Sequence, residues 1–262
     1  MEYSLLYHTL IPFALSALVV ILVTIIAEKF GTKTGGVIGT LPSTIIIAFL
    51  FIALDKGVTF ASDSVAVVPA EMGINLIFLF LFTHLSKKGI HIALTGSLVG
   101  WTILTIGIYY THVTSIVLSL AFYLICFFIT FLILEKTKKI PSQDTIKVHY
   151  TLLKLLGRSL IAGIVIAIAV TFSNLGTILS GIFSVFPAIF LSTMLISLRE
   201  HGPQFTGAIA KAMIYGSPSV VSYAVCIHIF YPAIGIIPGT ITAFLIAFLM
   251  TVLLFIFRKK IR

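Results

Sequence analysis

Apolar residues run through this chain in long stretches, separated by short intervals where Gly, Pro and charged residues gather. A helix needs about 20 apolar residues to cross the ~30 Å of hydrocarbon in a bilayer. Stretches of that kind predict nine spans, at 10–27, 36–54, 61–84, 90–110, 113–134, 157–174, 181–198, 206–229 and 234–257. Two of them share a layout. Gly31 to Gly57 opens on a Gly-rich run, is interrupted at Gly39 and Pro42, and closes on Asp55-Lys56-Gly57. The layout returns 145 positions later. Gly31, Thr32, Gly36, Pro42, Leu50 and Gly57 fall on Gly176, Thr177, Gly181, Pro187, Leu195 and Gly202, and Asp55 falls on Glu200.

That offset maps spans one to four onto spans six to nine. Span five has no counterpart, and this has a geometric consequence. Four crossings return a chain to its starting side, so one extra crossing turns the second copy upside down. The predicted fold is an all-α integral membrane protein with nine transmembrane helices, arranged as two inverted four-helix repeats joined by a linker helix. The expected units are a first repeat at 1–112, a linker helix with a basic cytoplasmic loop at 113–156, and the inverted second repeat at 157–262.

Composition agrees with the pattern. The chain is 59% hydrophobic and 10% charged, against roughly 25% charged residues in soluble domains. A net charge of +9 could suggest nucleic acid, but its distribution points elsewhere. Of the 17 Lys and Arg, nine-span alternation leaves only Lys56 on one side. Positive residues mark the cytoplasmic side, so the N-terminus is expected outside and the C-terminus in the cytoplasm. The basic loop EKTKKIPSQDTIKVHYTLLKLLGR reads as an ordinary connector or as an element that attracts anionic headgroups. The first residues lack a signal-peptide pattern. Cys126 and Cys226 lie in apolar segments and read as small hydrophobes.

An opening span, a Gly-entered and Pro-broken span, an acidic-basic-Gly triplet and a span with a central Pro occur twice. The features are GGVIGTLP, Asp55-Lys56-Gly57 and Pro69, then SGIFSVFP, Glu200-His201-Gly202 and Pro218; HIALTGSLVGW follows in the first copy. Each half resembles the small GlpM-like inner-membrane proteins. The resemblance implies an inner (cytoplasmic) membrane location and brings no reaction, substrate or catalytic residue.

Glu71 is the sharpest candidate, because it falls near the middle of the third span. Intramembrane carboxylates usually face a polar interior, a partner or an ion pathway. Asn75 one turn on and Asp63 two turns earlier would share its helix face. Glu71 reads as a proton or cation site, or else as a structural carboxylate bonded to a neighbouring helix. Lys211, Tyr215, Ser219 and Ser222 form a matching stripe on span eight. Lys211 either snorkels to the interface or neutralises Glu71 or an anionic substrate. Glu71 corresponds to Gly216 and Lys211 to Ala66, so both charges break the internal symmetry. Pro42 and Pro187 free carbonyls one turn earlier, and paired broken helices mark the binding sites of many transporters. Thr40, Ser43, Thr44 and Ser184 add small polar groups there. Asp55 and Glu200 are read as loop-end groups at opposite faces, with gating as the other option.

The seven histidines are scattered without ligand spacing, so no metal site is expected. Known catalytic and cofactor motifs are missing, so neither an enzyme nor a cofactor is expected. The expected partners are the lipid bilayer and an unidentified small solute or ion. Self-association is compatible with the sequence, and nucleic acid is not expected. The reading is a secondary transporter or permease, proton- or cation-coupled if Glu71 serves that role. The alternative is a non-transporting membrane scaffold or accessory protein, and a channel is a third option.

Overall fold

Most of the described helix starts carry no side-chain cap; at the helix that begins at Ile116, Ser115 Oγ accepts Leu118 N–H at 3.5 Å. Helix ends fall instead at Gly and Pro, where backbone geometry changes without help from side chains. The computed structural model describes residues 9–38, 41–137 and 151–260, with 27–38, 135–137, 255 and 257–260 described by backbone alone. In chain order the first half contains α1 (Ile11–Ile38), α2 (Ser43–Lys56), α3 (Val58–Val65), α4 (Val68–Leu85) and α5 (Ile90–Thr111). Next come α6 (Ile116–Thr137), α7 (Leu152–Phe172), α8 (Thr177–Ser184), α9 (Ala188–Gly216), α10 (Pro218–Ile234) and α11 (Ile236–Lys260). Short 3₁₀ turns at Ser86–Lys88 and Ser173–Leu175 follow α4 and α7.

Among the described residues, six helical stretches are long and apolar enough to cross a membrane: Val58–Lys88, Ile90–Thr111, Ile116–Leu134, Leu152–Leu175, Thr177–Ile234 and Ile236–Leu254. They are compatible with a multi-pass membrane protein. Val58–Lys88 is central, with 83% of its apolar window buried, whereas Ile116–Leu134 and Ile236–Leu254 are each 22% buried and outermost.

The two predicted breaks are present and alike. Pro42 precedes α2 at φ −72°, ψ 48°, and Pro187 precedes α9 at φ −75°, ψ 39°. Each is the centre of a three-residue turn. Ser43 N–H reaches Leu41 O at 2.6 Å, and Ala188 N–H reaches Phe186 O at 2.7 Å. Both acidic-basic-Gly triplets also end alike, with Gly57 at φ 87°, ψ 169° and Gly202 at φ 78°, ψ −179°. A Cβ is strained in that region, which explains why glycine closes each triplet. Gly202 splits α9 into arms at 188–201 and 203–216.

Packing treats the two halves alike. α1 packs on α7, α1 on α9 as α7 on α2, and α3 on α10 as α9 on α4. α4 lies against α5 as α10 lies against α11. Helix α6, expected as the linker, lies chiefly on α4 and reaches both Pro-led junctions. Ser119 Oγ accepts Ala70 N–H at 2.8 Å next to Pro69. One turn later the Tyr123 hydroxyl lies 2.7 Å from Ser217 Oγ, next to Pro218.

Three expectations change. The first two spans were expected to part near residues 28–35, but α1 runs unbroken to Ile38. That stretch has glycines but no Pro, and Gly lowers helix propensity without removing a backbone hydrogen bond. Its counterpart does break, at Gly176 (φ 125°). Next, Asp63 does not share a helix face with Glu71 and Asn75. Pro69 cannot donate to Val65 O, so the chain turns at Ala66–Val67; Asp63 stays on α3 and is exposed. Finally, the span-eight stripe is cut at Ser217. Lys211 and Tyr215 lie on the second arm of α9, while Ser219 and Ser222 lie on α10.

Candidate functional site

A helix broken inside an apolar bundle leaves backbone groups that need partners or water. The structure shows a side-chain partner for one such group and a space beside the breaks. Between the starts of α2 and α9 lies a cavity of about 50 Å³, room for a few water molecules. Its lining follows the repeat offset. Leu41 and Phe186, Pro42 and Pro187, Thr44 and Ile189, Ile45 and Phe190, and Asn75 and Val220 all line it, each pair 145 positions apart. Met72 of α4, Ala162, Val165 and Ile166 of α7, and Ser184 complete much of the wall.

Asn75 meets the need created by Pro187. Its Nδ2 donates to Val185 O at 2.7 Å, a carbonyl at the break. Its Oδ1 accepts from Trp101 Nε1 of α5 at 2.9 Å. Trp101 packs edge-on against Phe186, with ring centroids 4.9 Å apart. The start of α9 is thereby fastened to α4 and α5.

Glu71 lies one turn from Asn75 but does not line the cavity. It is fully buried. Thr105 of α5 donates to its Oε1 at 2.7 Å, and Oε2 accepts no hydrogen bond among the described residues. Lys211 is not among its donors, so the suggested neutralisation is not how Glu71 is held. Lys211 and Tyr215 are half-buried away from the cavity lining, and Tyr215 approaches Phe131. Ser219 is buried and donates to Gly216 O.

The structure therefore brings together Pro42, Pro187, Thr44, Asn75 and Ser184 from the predicted set. Ser184 donates to Gly181 O at 2.6 Å. Ser43 is buried beside Pro42, its hydroxyl without a hydrogen-bond partner among the described residues, but does not line the cavity. Thr40 lies outside the described residues. Asp63, Lys211, Tyr215, Ser219 and Glu71 are not cavity residues. Among the described residues no group of three or more potential ligands could hold a metal.

Sequence reasoning missed Trp101, Thr105 and Arg158. Trp101 and Thr105 read as ordinary apolar-span residues, and only partner geometry gives them roles. Arg158 was counted as a loop charge, yet it is 7% exposed and its Nη1 donates to Thr193 Oγ1 of α9 at 2.6 Å. Its place just inside span six, one turn before Ala162, was the available signal.

Residues 9–114 match a family model described as "Protein of unknown function (DUF3147)". The match covers less than half of the chain and names an uncharacterised family, not the GlpM-like proteins. No curated protein matches the chain. No solved structure matches it either.

Proposed function

We propose that this protein is a secondary transporter or permease for a small solute, built from two inverted repeats, with the Pro42–Pro187 cavity as its binding site. The observation that carries this reading is the lining: five pairs of wall residues are related by the same offset as the sequence repeat. Transporter sites are commonly formed where broken helices from corresponding positions of two repeats meet. The walls are mainly apolar, with Asn75, Thr44 and Ser184 as polar groups, a composition suited to orienting a small ligand.

Inverted topology draws support from contacts between loop ends. Nine-span alternation assigns 55–56 and 173–174 to one face of the membrane and 154 and 200 to the other. Lys56 Nζ donates to Asn174 Oδ1 at 2.6 Å, and Ser173 Oγ lies 3.5 Å from Asp55 Oδ2. Lys154 pairs with Glu200. Each contact joins residues assigned to the same face. Thr177–Ile234, at 58 residues, would reach roughly 87 Å as one straight helix, nearly three bilayer cores, so its breaks must fold it back. An inner-membrane location with the N-terminus outside follows from the Lys and Arg bias. Thiol labelling of single cysteines tests the orientation: position 56 should react from outside, and positions 87 and 259 from the cytoplasm.

A second reading has its own observation. Glu71 is sealed away from the cavity and bonded to Thr105, as a non-transporting membrane scaffold would hold it. Charge movement on a solid-supported membrane, with a panel of solutes and pH jumps, separates the two. Transients in wild type that vanish in Asn75→Leu support transport through the cavity. Identical transients in that variant would remove the cavity from the pathway, and silence in wild type and variant across the panel would favour the scaffold.

A further inference from the structure

α7 is fastened at both of its ends, and the cavity lies between the fastenings. Towards its start, buried Arg158 donates to Thr193 of α9 at 2.6 Å. Arg158 is one turn before Ala162 and Thr193 one turn after Ile189, and both Ala162 and Ile189 line the cavity. This hydrogen bond therefore closes the α7–α9 seam one turn from the wall. Another turn outward, Lys154 of α7 forms an ion pair with Glu200, two residues before the Gly202 bend. Beyond the far end of α7, Ser173 and Asn174 meet Asp55 and Lys56 at the end of α2. Asp55 and Glu200 are equivalent under the 145 offset. Equivalent acids thus fasten opposite ends of one helix.

We propose that these contacts are the two gates of the cavity. Arg158–Thr193 with Lys154–Glu200 closes the face that carries Lys154. Asp55 and Lys56 with Ser173 and Asn174 close the face that carries Lys56. The inference rests on the cavity being the transport site. The structure then represents the state in which both sets of contacts are made, and opening requires one end of α7 to part from its neighbour while the other holds. An arginine buried in an apolar span is costly unless it has a task there, and its charge-assisted bond gives the inner gate a defined closed position.

The test uses full-length protein in sealed vesicles, in a Cys126→Ser, Cys226→Ser background with Thr44→Cys as the cavity reporter. A membrane-impermeant maleimide is applied to one face at a time. Thr193→Val and Glu200→Lys should each speed labelling from the Lys154 face about tenfold, the effect of losing a hydrogen bond to a charged group, with no change from the other face. Lys56→Met should do the reverse. Combining Lys154→Glu with Glu200→Lys should restore slow labelling, which a merely misfolded variant would not. Unchanged rates, or rates that rise together from both faces, overturn the gates. The transport reading is read separately: silent wild-type charge movement with side-specific labelling would sink transport and keep the gates.

Discussion

Replacing Asn75 with Leu tests whether the break at Pro187 is held as the structure shows. Leu keeps the volume but strands two buried groups, Val185 O and Trp101 Nε1. Interhelical hydrogen bonds in membranes average ~0.6 kcal/mol, with a maximum near ~1.7. Two such bonds therefore place the loss at roughly 1–3 kcal/mol, below the range that buried orphans give in soluble proteins. For a chain of this size, each kcal/mol moves Tm by about 2–4 °C, so thermal unfolding in detergent should fall by roughly 3–10 °C. Trp101→Phe breaks only one of the bonds and should cost about half as much. The double variant should cost less than the sum by about 0.5–1 kcal/mol, because both singles lose the same Trp101–Asn75 bond. A Tm drop under about 1 °C for Asn75→Leu, or strict additivity, would refute the clamp.

Gly181→Ala places a Cβ against the Ser64 carbonyl and within 2.5 Å of Val67 Cγ1. Because backbone cannot yield cheaply, it should destabilise by about 1–3 kcal/mol, and an unchanged Tm would contradict the close approach of α8 to α3. Gly202→Ala meets no neighbour but must hold φ at 78° with ψ at −179°; a cost of about 1–3 kcal/mol is expected, with Gly57→Ala matching it in the same unfolding assay. Glu71→Gln keeps an oxygen to accept the Thr105 hydroxyl, so folding should survive with Tm within about 2 °C. Loss of solute-driven charge movement in that folded variant would give Glu71 an ionic role, and unfolding would make it structural.

The chemistry of the breaks was legible because Pro and Gly act through their own backbones. Pro42, Pro187, Gly57 and Gly202 each alter the chain where they stand, whatever packs against them. What was hidden depended on three-dimensional partners. Asn75 was chosen as a neighbour of Glu71, but its task is to satisfy Val185 O, 110 residues away. Asp63 was misplaced because Pro69 was not followed back to the carbonyl it leaves unbonded. Arg158 was hidden by its neighbours, since a Lys-rich loop makes any cation nearby look like part of the interface. The continuous α1 was missed because Gly31, Gly35 and Gly36 were weighed as breakers when only their counterpart at Gly176 breaks.

The cavity is paired while the polar layer beside it is not. Asn75, Trp101, Glu71 and Thr105 connect α4 to α5 and to the start of α9. The positions equivalent to them are Val220, Ile246, Gly216 and Met250. None of those four side chains can donate a hydrogen bond, so no matching clamp can be built on α10 and α11 from these positions. The start of α9 is therefore tied through side chains in a way that the start of α2 is not tied by its equivalents. Under the transport reading proposed above, a lining with two-fold symmetry alone would present the same chemistry to a solute from either side. The one-sided layer would make the two approaches different, since the cavity carries a fixed amide backed by an indole at Asn75 and an aliphatic side chain at the equivalent Val220.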